Sequence, residues 1–326
     1  MKVVAIPRNG MGNRLQMLAS CKTLATELNA DFEIVWDTQE IFTSSFSAIF
    51  QSVDNTEIID PVAVQQVVPF ETPDFTNYDP ENNIITLKNL RIGDQAFMPK
   101  LRRLILSANS STSIVVISGE KFLLSQKPSF KDSRDFRGMR QSFYKNIQFS
   151  EPVRLLVNEK INTLGSNFWS IHLRATDRSA EAMSLDKVVA AILLHSYSLN
   201  LKNRNVYIAS DDQERGLKLS AVLVDKGFKV IFFPEINRNR LNYDEGLDSA
   251  VDWILLSKAS QVFSYGSTTY SYEAAVAGGT FESRIHLAGG KIHQAKRVVQ
   301  KELLDFRLYR KLPTTTVFWG KGRNEI

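Results

Sequence analysis

Along the first 36 residues, apolar positions form two short continuous runs, and between the runs they recur at helical spacing. Val3–Ile6 and Phe32–Trp36 are short apolar runs bounded by polar residues, which is typical of buried strands. Between them, Leu15–Leu28 carries apolar residues at helical spacing, and Cys21 lies within that stripe. We therefore predict a strand, a loop, a helix and a second strand, with Cys21 in the core. This order opens a parallel α/β sheet.

The second half of the chain repeats the alternation of strand and helix. The predicted strands are Phe168–Arg174, Val206–Ala209, Lys229–Phe233 and Val262–Ser264, and the predicted helices are Glu151–Leu164, Ser184–Leu199, Asp212–Gly227, Asp244–Ala259 and Thr268–Ala277. The pattern predicts an α/β fold with two doubly wound domains, residues 1–150 and residues 151–326. Ligands of such sheets bind at the carboxyl ends of the strands.

The stretch between the two regular regions is harder to interpret. Ile114–Ser118 is a candidate buried strand, whereas Asp74–Asn83 is polar and contains proline, so we predict an exposed loop there. Residues 126–150 carry many charges and no clear strand pattern. We expect this segment to link the two domains.

Composition narrows the class of protein. The chain has 326 residues, 43% hydrophobic and 23% charged, which fits a globular fold and excludes long disorder. A single cysteine excludes an internal disulfide and a cysteine zinc site. No apolar run approaches the roughly 18 residues of a membrane span. The five residues between Lys2 and Arg8 are too few for the apolar region of a secretory signal, which needs about 7–15, so we expect a cytoplasmic protein. The net charge of +5 comes from a basic segment after residue 290, which fits a solvated surface or an anion contact, and no RNA-binding pattern occurs.

The first candidate loop is Gly10–Leu15, which follows a strand and opens a helix. Gly10 and Gly12 allow a ligand to approach the backbone closely, and the helix start attracts anions. A dinucleotide fingerprint would place a third glycine at Leu15, although Asp37 could imitate its ribose-binding acid. Phosphate or sugar contact, a tight turn and an NAD-like site all remain open.

The second candidate loop begins at the end of a predicted strand. Alternation along the strand puts His172 and Arg174 on one face, and the guanidinium fork of an arginine suits phosphate oxygens. Asp177 could orient Arg174. The alternative interpretation is a structural Arg–Asp pair beside a core histidine.

The third candidate loop, Ser264–Thr269, again joins a strand to a helix. Small hydroxyl residues at a helix start cap it and also offer donors to an anion. Asp252, on the preceding helix, lies among apolar residues, and a buried carboxylate there needs donors such as a nucleobase ring N–H and amino group. Ordinary capping and a surface position are the alternatives.

Missing motifs restrict the chemistry further. The sequence contains no Asp-x-Asp pair, no P-loop and no nucleophile elbow, and His195 lies in an apolar helix where a core role is expected. If the protein handles a diphosphate, arginine and helix dipoles must neutralise its charge without a metal.

Four segments together resemble the fucosyltransferase superfamily, which includes α-1,6-fucosyltransferases, nodulation chitooligosaccharide fucosyltransferases and protein O-fucosyltransferases. GMGNRL is similar to its glycine-rich first loop, HLRATD to its His-x-Arg-Arg-x-Asp motif, and VYIASDDQE to its second conserved strand. Asp252–Ala275 resembles its C-terminal motif. The stretch FEIVWDTQEIFTSSFSAIF, which begins with the second strand, also looks like the nodulation branch. With it, the resemblance extends over about half of the chain.

The resemblance implies a GT-B architecture with GDP-fucose in the cleft between the lobes and no metal or cofactor. It implies that Arg174 binds the diphosphate and that His172 and Asp252 face the guanine. The remaining implied contacts to the nucleotide sugar are Gly10, Gly12, Asn13, Ser267, Thr268 and Thr269. The N-terminal domain would then lie on the acceptor side.

The resemblance also implies a catalytic base, for which Glu181 is the candidate, although it lies about one residue short of the usual spacing. The family's second arginine is Ala175 here, and Arg178 lies close enough in sequence to replace it. We expect a metal-independent inverting transfer of fucose to the hydroxyl of an oligosaccharide or glycoconjugate. An NAD-dependent enzyme and a catalytically silent nucleotide- or glycan-binding relative remain the alternatives.

Overall fold

The structure is a computed structural model. It describes residues 1–38, 42–54, 56–59, 76–79, 81–88, 105, 108–122, 132–174, 184–198, 205–232, 244–265, 268–288 and 318–319. The chain forms two compact units. The first comprises Met1–Leu155 and Asn239–Val251, and the second comprises Leu156–Arg238 and Asp252–Ile326. The sequence predicts a single boundary at residue 150. In the structure the first segment runs to Leu155, and Asn239–Val251 also belongs to the first unit.

The first unit is built on a six-stranded sheet. Its strands are β1 (Lys2–Pro7), β2 (Asp31–Val35), β4 (Glu57–Ile59), β5 (Thr76–Asp79), β6 (Ile84–Lys88) and β7 (Ser113–Ser118). The order across the sheet is β4-β2-β1-β7-β6-β5, and every pairing is parallel except that of β5 with β6. A separate antiparallel pair joins β3 (Phe50–Val53) to β8 (Ile147–Phe149).

Three helices of the first unit are α1 (Met11–Leu28), the single turn α2 (Phe46–Ile49) and α3 (Arg134–Lys145). Helix α1 ends at Asn29, which takes the left-handed conformation and returns its backbone N–H to the last turn. Cys21 is fully buried in α1, as its place in the apolar stripe predicts, and this burial raises the pKa of its thiol well above the usual value.

The second unit contains a six-stranded sheet that is parallel throughout. Its strands are β9 (Trp169–Leu173), β10 (Asn205–Ser210), β11 (Lys229–Ile231), β12 (Gln261–Tyr265), β13 (Ile285–Ala288) and β14 (Phe318–Trp319), in the order β11-β10-β9-β12-β13-β14. The helices that follow these strands in sequence are α5 (Leu185–Ser198), α6 (Gln213–Asp225) and α8 (Thr269–Gly278). Two further helices, α4 (Glu151–Leu164) and α7 (Asp244–Lys258), contribute residues to both units.

Two predictions for the middle of the chain are wrong. Residues 126–150 include helix α3, whose Ser133 hydroxyl accepts a hydrogen bond from the Phe136 N–H at 3.1 Å. The helical pattern is hidden because Arg140 occupies a core position, where its guanidinium lies over the ring of Phe136 and bonds both carboxylate oxygens of Asp132. A charged residue at that position breaks the apolar stripe.

The predicted exposed loop at Asp74–Asn83 contains strand β5, which pairs with β6. The carboxylate of Asp79 accepts from the N–H groups of Glu81 and Asn82 at 3.0 and 3.2 Å, and Asn83 has a φ of 53°. These residues therefore form the turn of a hairpin. The polar residues of a tight turn have the same composition as a longer exposed loop, so the sequence pattern does not separate the two.

The faces of the second sheet differ in chemistry. One face buries apolar side chains of β9 and β10 against α5 and α6, including Ile171, Ile208, Ile192 and Leu219. Because successive side chains of a strand alternate, Ser170, His172 and Tyr207 lie on the other face. Across the described ranges, no helix combines the length and the apolar character that a membrane crossing needs.

Candidate functional site

The polar face of the second sheet gathers residues from three adjacent strands. In the register of β12 and β9, Ser264 lies opposite His172, and in that of β10 and β9, Tyr207 lies opposite Ser170. All four residues are buried, and their parallel strands end at one edge of the sheet. Among the described atoms, the hydroxyls of Ser170 and Ser264 have no hydrogen-bond partner. This face therefore carries polar groups where an ordinary core would be apolar.

A short chain of hydrogen bonds holds His172 at this edge. The Thr268 hydroxyl lies 3.3 Å from Nδ1 of His172 and 2.6 Å from the hydroxyl of Ser271, and all three side chains are buried. The imidazole also packs on the ring of Tyr270, with centroids 5.2 Å apart and planes tilted by 40°. Two contacts on α8 and its cap thus orient the histidine.

Helix α8 starts immediately after this chain of hydrogen bonds. Thr268 is its N-cap residue, yet its side chain makes no capping hydrogen bond, because the hydroxyl is directed to His172 and Ser271. Thr269 is the first helical residue and is half-buried. Capping and anion contact are the two interpretations of the third loop. The Thr268 side chain has a different role in the structure, which is to contact His172.

Asp252 is buried on α7 and receives a hydrogen bond from the hydroxyl of Tyr207 on β10. The sequence predicted that a carboxylate among Val251, Trp253 and Ile254 needs donors, and the structure supplies one of them from within the fold. Tyr207 and His172 project from the same face of neighbouring strands. The Asp252 carboxylate, its phenol partner and the imidazole therefore belong to one face of the sheet.

Arg174 follows β9 directly and is half-buried. Its position after the last strand residue agrees with a place at the carboxyl edge. Glu181 and Ser267 lie outside the described residues, as do Ala175, Asp177 and Arg178. The structure therefore brings His172, Asp252 and Thr268 to one face and adds no information on Glu181 or Ser267.

The glycine-rich loop of the first unit lies at the carboxyl edge of its own sheet. Gly10 is exposed, caps α1 and accepts the N–H groups of Asn13 and Arg14 at 3.0 and 3.1 Å. A Cβ at Gly10 would meet open space, and its φ of −71° is ordinary, so neither contact nor backbone conformation requires glycine there. Gly12 is buried and Asn13 is half-buried.

Sequence reasoning missed a charged cluster beneath this loop. Arg8 and Asp37 form a buried ion pair. Arg14 donates from Nε to the carbonyl of Asn9 at 2.8 Å and from a terminal nitrogen to the carbonyl of Asp37 at 3.0 Å. The Arg14 guanidinium lies 4.7 Å from the centroid of the Trp36 ring. The only sequence signal is the position of Arg8 and Asp37 at the ends of adjacent predicted strands.

His195 lies on the opposite, apolar face of the second sheet, as its helix predicts. Its ring contacts those of Trp169 and Phe263, with centroids 5.3 and 5.5 Å away. Burial lowers the pKa of His195, and a hydrogen bond with Gln261 opposes the shift. In the part of the chain that the structure describes, no group of three or more metal-ligating side chains is placed to hold an ion.

Comparison with solved structures finds fucosyltransferases. NodZ α-1,6-fucosyltransferase soaked with GDP-fucose is 17% identical, with a TM-score of 0.57 over 85% of this chain and 92% of that one. Mutant FUT1 of Arabidopsis thaliana in complex with GDP is 14% identical, with a TM-score of 0.58 over 85% and 68%. POFUT1 in complex with GDP is 12% identical, with a TM-score of 0.52 over 85% and 94%.

No protein-family model matches the sequence, and no curated protein is significantly similar to it. The structural neighbours share the fold that the resemblance implies, and the predicted α/β class is confirmed. The chain has the GT-B fold of these fucosyltransferases.

Proposed function

We propose that this protein is a glycosyltransferase that moves fucose from GDP-fucose to a hydroxyl group of a glycan acceptor. The observation that carries the proposal is the polar face of the second sheet, where buried His172 contacts the start of α8 through Thr268 and buried Asp252 accepts a hydrogen bond from Tyr207. Structures with this fold include NodZ soaked with GDP-fucose and POFUT1 in complex with GDP, which supports a GDP-sugar as donor.

Recognition of the guanine is assigned to Asp252 and His172. A carboxylate accepts hydrogen bonds only, so it suits the adjacent ring N–H and amino group of guanine and disfavours adenine, whose corresponding ring nitrogen is an acceptor. His172 is held by Thr268 and by the Tyr270 ring, so its second ring nitrogen has a defined direction. Both residues are buried, which strengthens their polar contacts with a bound base.

The diphosphate is assigned to Arg174, Ser267, Thr268 and Thr269. Arg174 offers a fork of donors directly after β9, and the N-terminus of α8 adds its dipole and backbone N–H groups. Because the Thr268 hydroxyl already contacts His172, its contribution to phosphate binding is through the backbone. Gly10, Gly12 and Asn13 remain predicted contacts to the nucleotide sugar, and of these Gly10 has open space beside its backbone.

The proposed reaction inverts the configuration at the sugar. An acceptor oxygen forms a bond to C1 of fucose, the bond from C1 to the phosphate oxygen breaks, and its electron pair leaves with GDP. Glu181 takes the proton of the acceptor hydroxyl, a step worth about 10²–10⁴ in rate. Arg174 and the start of α8 stabilise the charge that develops on the leaving diphosphate without a metal. Arg178 supplies the second cation that the family places at Ala175.

Two alternatives make different predictions. An NAD-dependent enzyme would need Asp37 as a reachable ribose ligand, but the carboxylate of Asp37 is buried and paired with Arg8, which disfavours that function. A catalytically silent relative, suggested by Ala175, would bind GDP without transferring sugar. The class of acceptor, an oligosaccharide or glycoconjugate, and the cytoplasmic location stay predictions.

A titration followed by a transfer assay tests the proposal. Calorimetry with GDP and NAD should give saturable binding of GDP alone, and incubation with GDP-fucose and chitooligosaccharide or N-glycan acceptors should release GDP only when acceptor is present. The same assay in EDTA should keep its rate. Binding of NAD but not GDP would overturn the proposal, and GDP binding without acceptor-dependent release would establish the silent relative. Activity lost in EDTA and restored by Mg²⁺ would contradict the metal-free step.

A further inference from the structure

The hydrogen bond between Tyr207 and Asp252 joins two residues that are 45 positions apart in sequence and buried from solvent. Tyr207 is on β10, which lies between β9 and β11 in the second sheet, and Asp252 is on helix α7. The strand fixes the backbone of Tyr207, and the rigid ring fixes the position of its hydroxyl oxygen. Only rotation about the C–O bond changes the direction of the O–H group. A carboxylate that accepts from such a donor is held in one orientation.

We infer that Tyr207 is a positioning residue that fixes the Asp252 carboxylate for recognition of the nucleobase, an inference that rests on the proposed function. Asp252 has one rotatable bond beyond χ1, and rotation about it turns the plane of the carboxylate. The hydrogen bond from Tyr207 to Oδ1 holds that plane in one orientation. A carboxylate has about four lone-pair sites, and the hydrogen bond from Tyr207 uses one of them.

A fixed Asp252 carboxylate should affect the preference for guanine over other bases more than the overall affinity for nucleotides. Two adjacent donors of guanine must meet two directed lone pairs, so a carboxylate free to rotate would lose the paired geometry. ADP makes no such pair of hydrogen bonds, so its affinity should not depend on the orientation of the carboxylate. Removal of the phenol hydroxyl should therefore reduce the preference for GDP over ADP.

The decisive variant is Tyr207→Phe, which keeps the ring and removes the hydroxyl. Titration calorimetry with GDP, IDP and ADP should show GDP affinity reduced about tenfold, IDP affinity reduced less because hypoxanthine lacks the amino group, and ADP affinity unchanged. The matched control is Tyr144→Phe, which removes the hydroxyl of another buried tyrosine, packed on Phe143 in the first unit. It should leave all three affinities as in the wild type.

A purely structural role for Tyr207 predicts a different result. The melting temperature would fall, but the ratio of GDP to ADP affinity would stay within about twofold of the wild type, and that outcome overturns the inference. Wild-type protein with no preference for GDP over ADP would overturn the assignment of Asp252 itself, so the two failures are distinguishable.

A second variant protects the test if Tyr207→Phe does not fold. Asp252→Glu keeps the charge and keeps Tyr207, but one extra methylene moves the carboxylate away from the phenol hydroxyl. The GDP to ADP ratio should fall about as much as in Tyr207→Phe. An unchanged ratio in Asp252→Glu would show that the position of the carboxylate does not matter, which contradicts the inference.

Discussion

The two sheets each present the carboxyl ends of central parallel strands, but different chemistry fills these two edges. In the first unit, Arg8, Arg14 and Asp37 form a buried network of full charges under the glycine-rich loop. In the second, the edge is lined by hydroxyl groups and an imidazole, with Thr268 bonded to His172 and Ser271.

The difference indicates which edge is built for rigidity and which is built for a ligand. A buried ion pair is costly to break, because the remaining charge has no water to solvate it. Hydroxyl groups instead orient neighbouring side chains at small cost and can exchange partners when a ligand binds. The first edge therefore holds its loop in place, and the second has oriented groups that suit the proposed nucleotide ligand.

The strongest way to break the first edge is Asp37→Asn. The substitution leaves the buried Arg8 guanidinium without its counter-charge, so the free energy of unfolding should fall by about 3–5 kcal/mol. Urea denaturation followed by circular dichroism measures the change. The control Glu214→Gln removes an exposed pair with Lys218 and should leave stability unchanged within error. A loss in Asp37→Asn no larger than in the control would show that the first edge does not depend on this pair.

The second edge is tested by Arg174→Ala. Loss of a donor that stabilises the leaving diphosphate should reduce kcat by about 10²–10³ while the far-ultraviolet spectrum and the melting temperature are retained. Arg174→Lys should recover only part of the rate, since an ammonium lacks the planar fork. A folded Arg174→Ala protein with wild-type kcat would remove Arg174 from the mechanism.

A smaller effect is expected from Thr268→Val, which is close in shape and lacks the hydroxyl between His172 and Ser271. Loss of one neutral hydrogen bond should weaken GDP binding by about 2–10-fold. Thr268→Ser keeps the hydroxyl and should restore the affinity. If Thr268→Val binds GDP as tightly as the wild type, the hydroxyl does not orient His172 for the base.

The smallest expected effect concerns pH and His195. Burial lowers the pKa of His195 below its usual value of about 6.5, so the unfolded chain binds more protons in that range. The stability that His195 contributes is therefore present above pH 6.5 and is lost as the pH falls below it. Unfolding measured between pH 7.5 and 5.5 should show a weaker pH dependence in His195→Leu than in the wild type. Identical slopes would contradict the shift.

Sequence reasoning succeeded where one period of apolar residues dominates. The strand around Val3–Ile6 is predictable because both of its faces bury apolar side chains, and the strand around Phe168–Arg174 because one of its faces does. The order of the loops then indicates the fold. It failed at Arg140, since a buried, paired arginine looks like a surface residue in a pattern of apolar positions. Cores built around charges give no periodic signal.

The candidate site was predictable only as a set of loops. His172 and Thr268 follow from strand ends and helix starts, which are local features. Their contact joins residues 96 positions apart, and that of Tyr207 with Asp252 joins residues 45 apart, so neither leaves a local trace. The register between strands decides which residues of neighbouring strands lie opposite each other, and it is fixed by the whole sheet.

The buried Cys21 gives the molecule a built-in reporter. It is the only thiol in the chain, it lies on α1 against the first sheet, and its burial keeps it from the reactive thiolate form. A thiol reagent added to native protein can modify it only when this part of the first unit opens. The rate of Cys21 labelling would therefore measure the rate of that opening without an engineered probe. If a cysteine is added on the surface, a thiol-reactive dye would attach to the added cysteine alone.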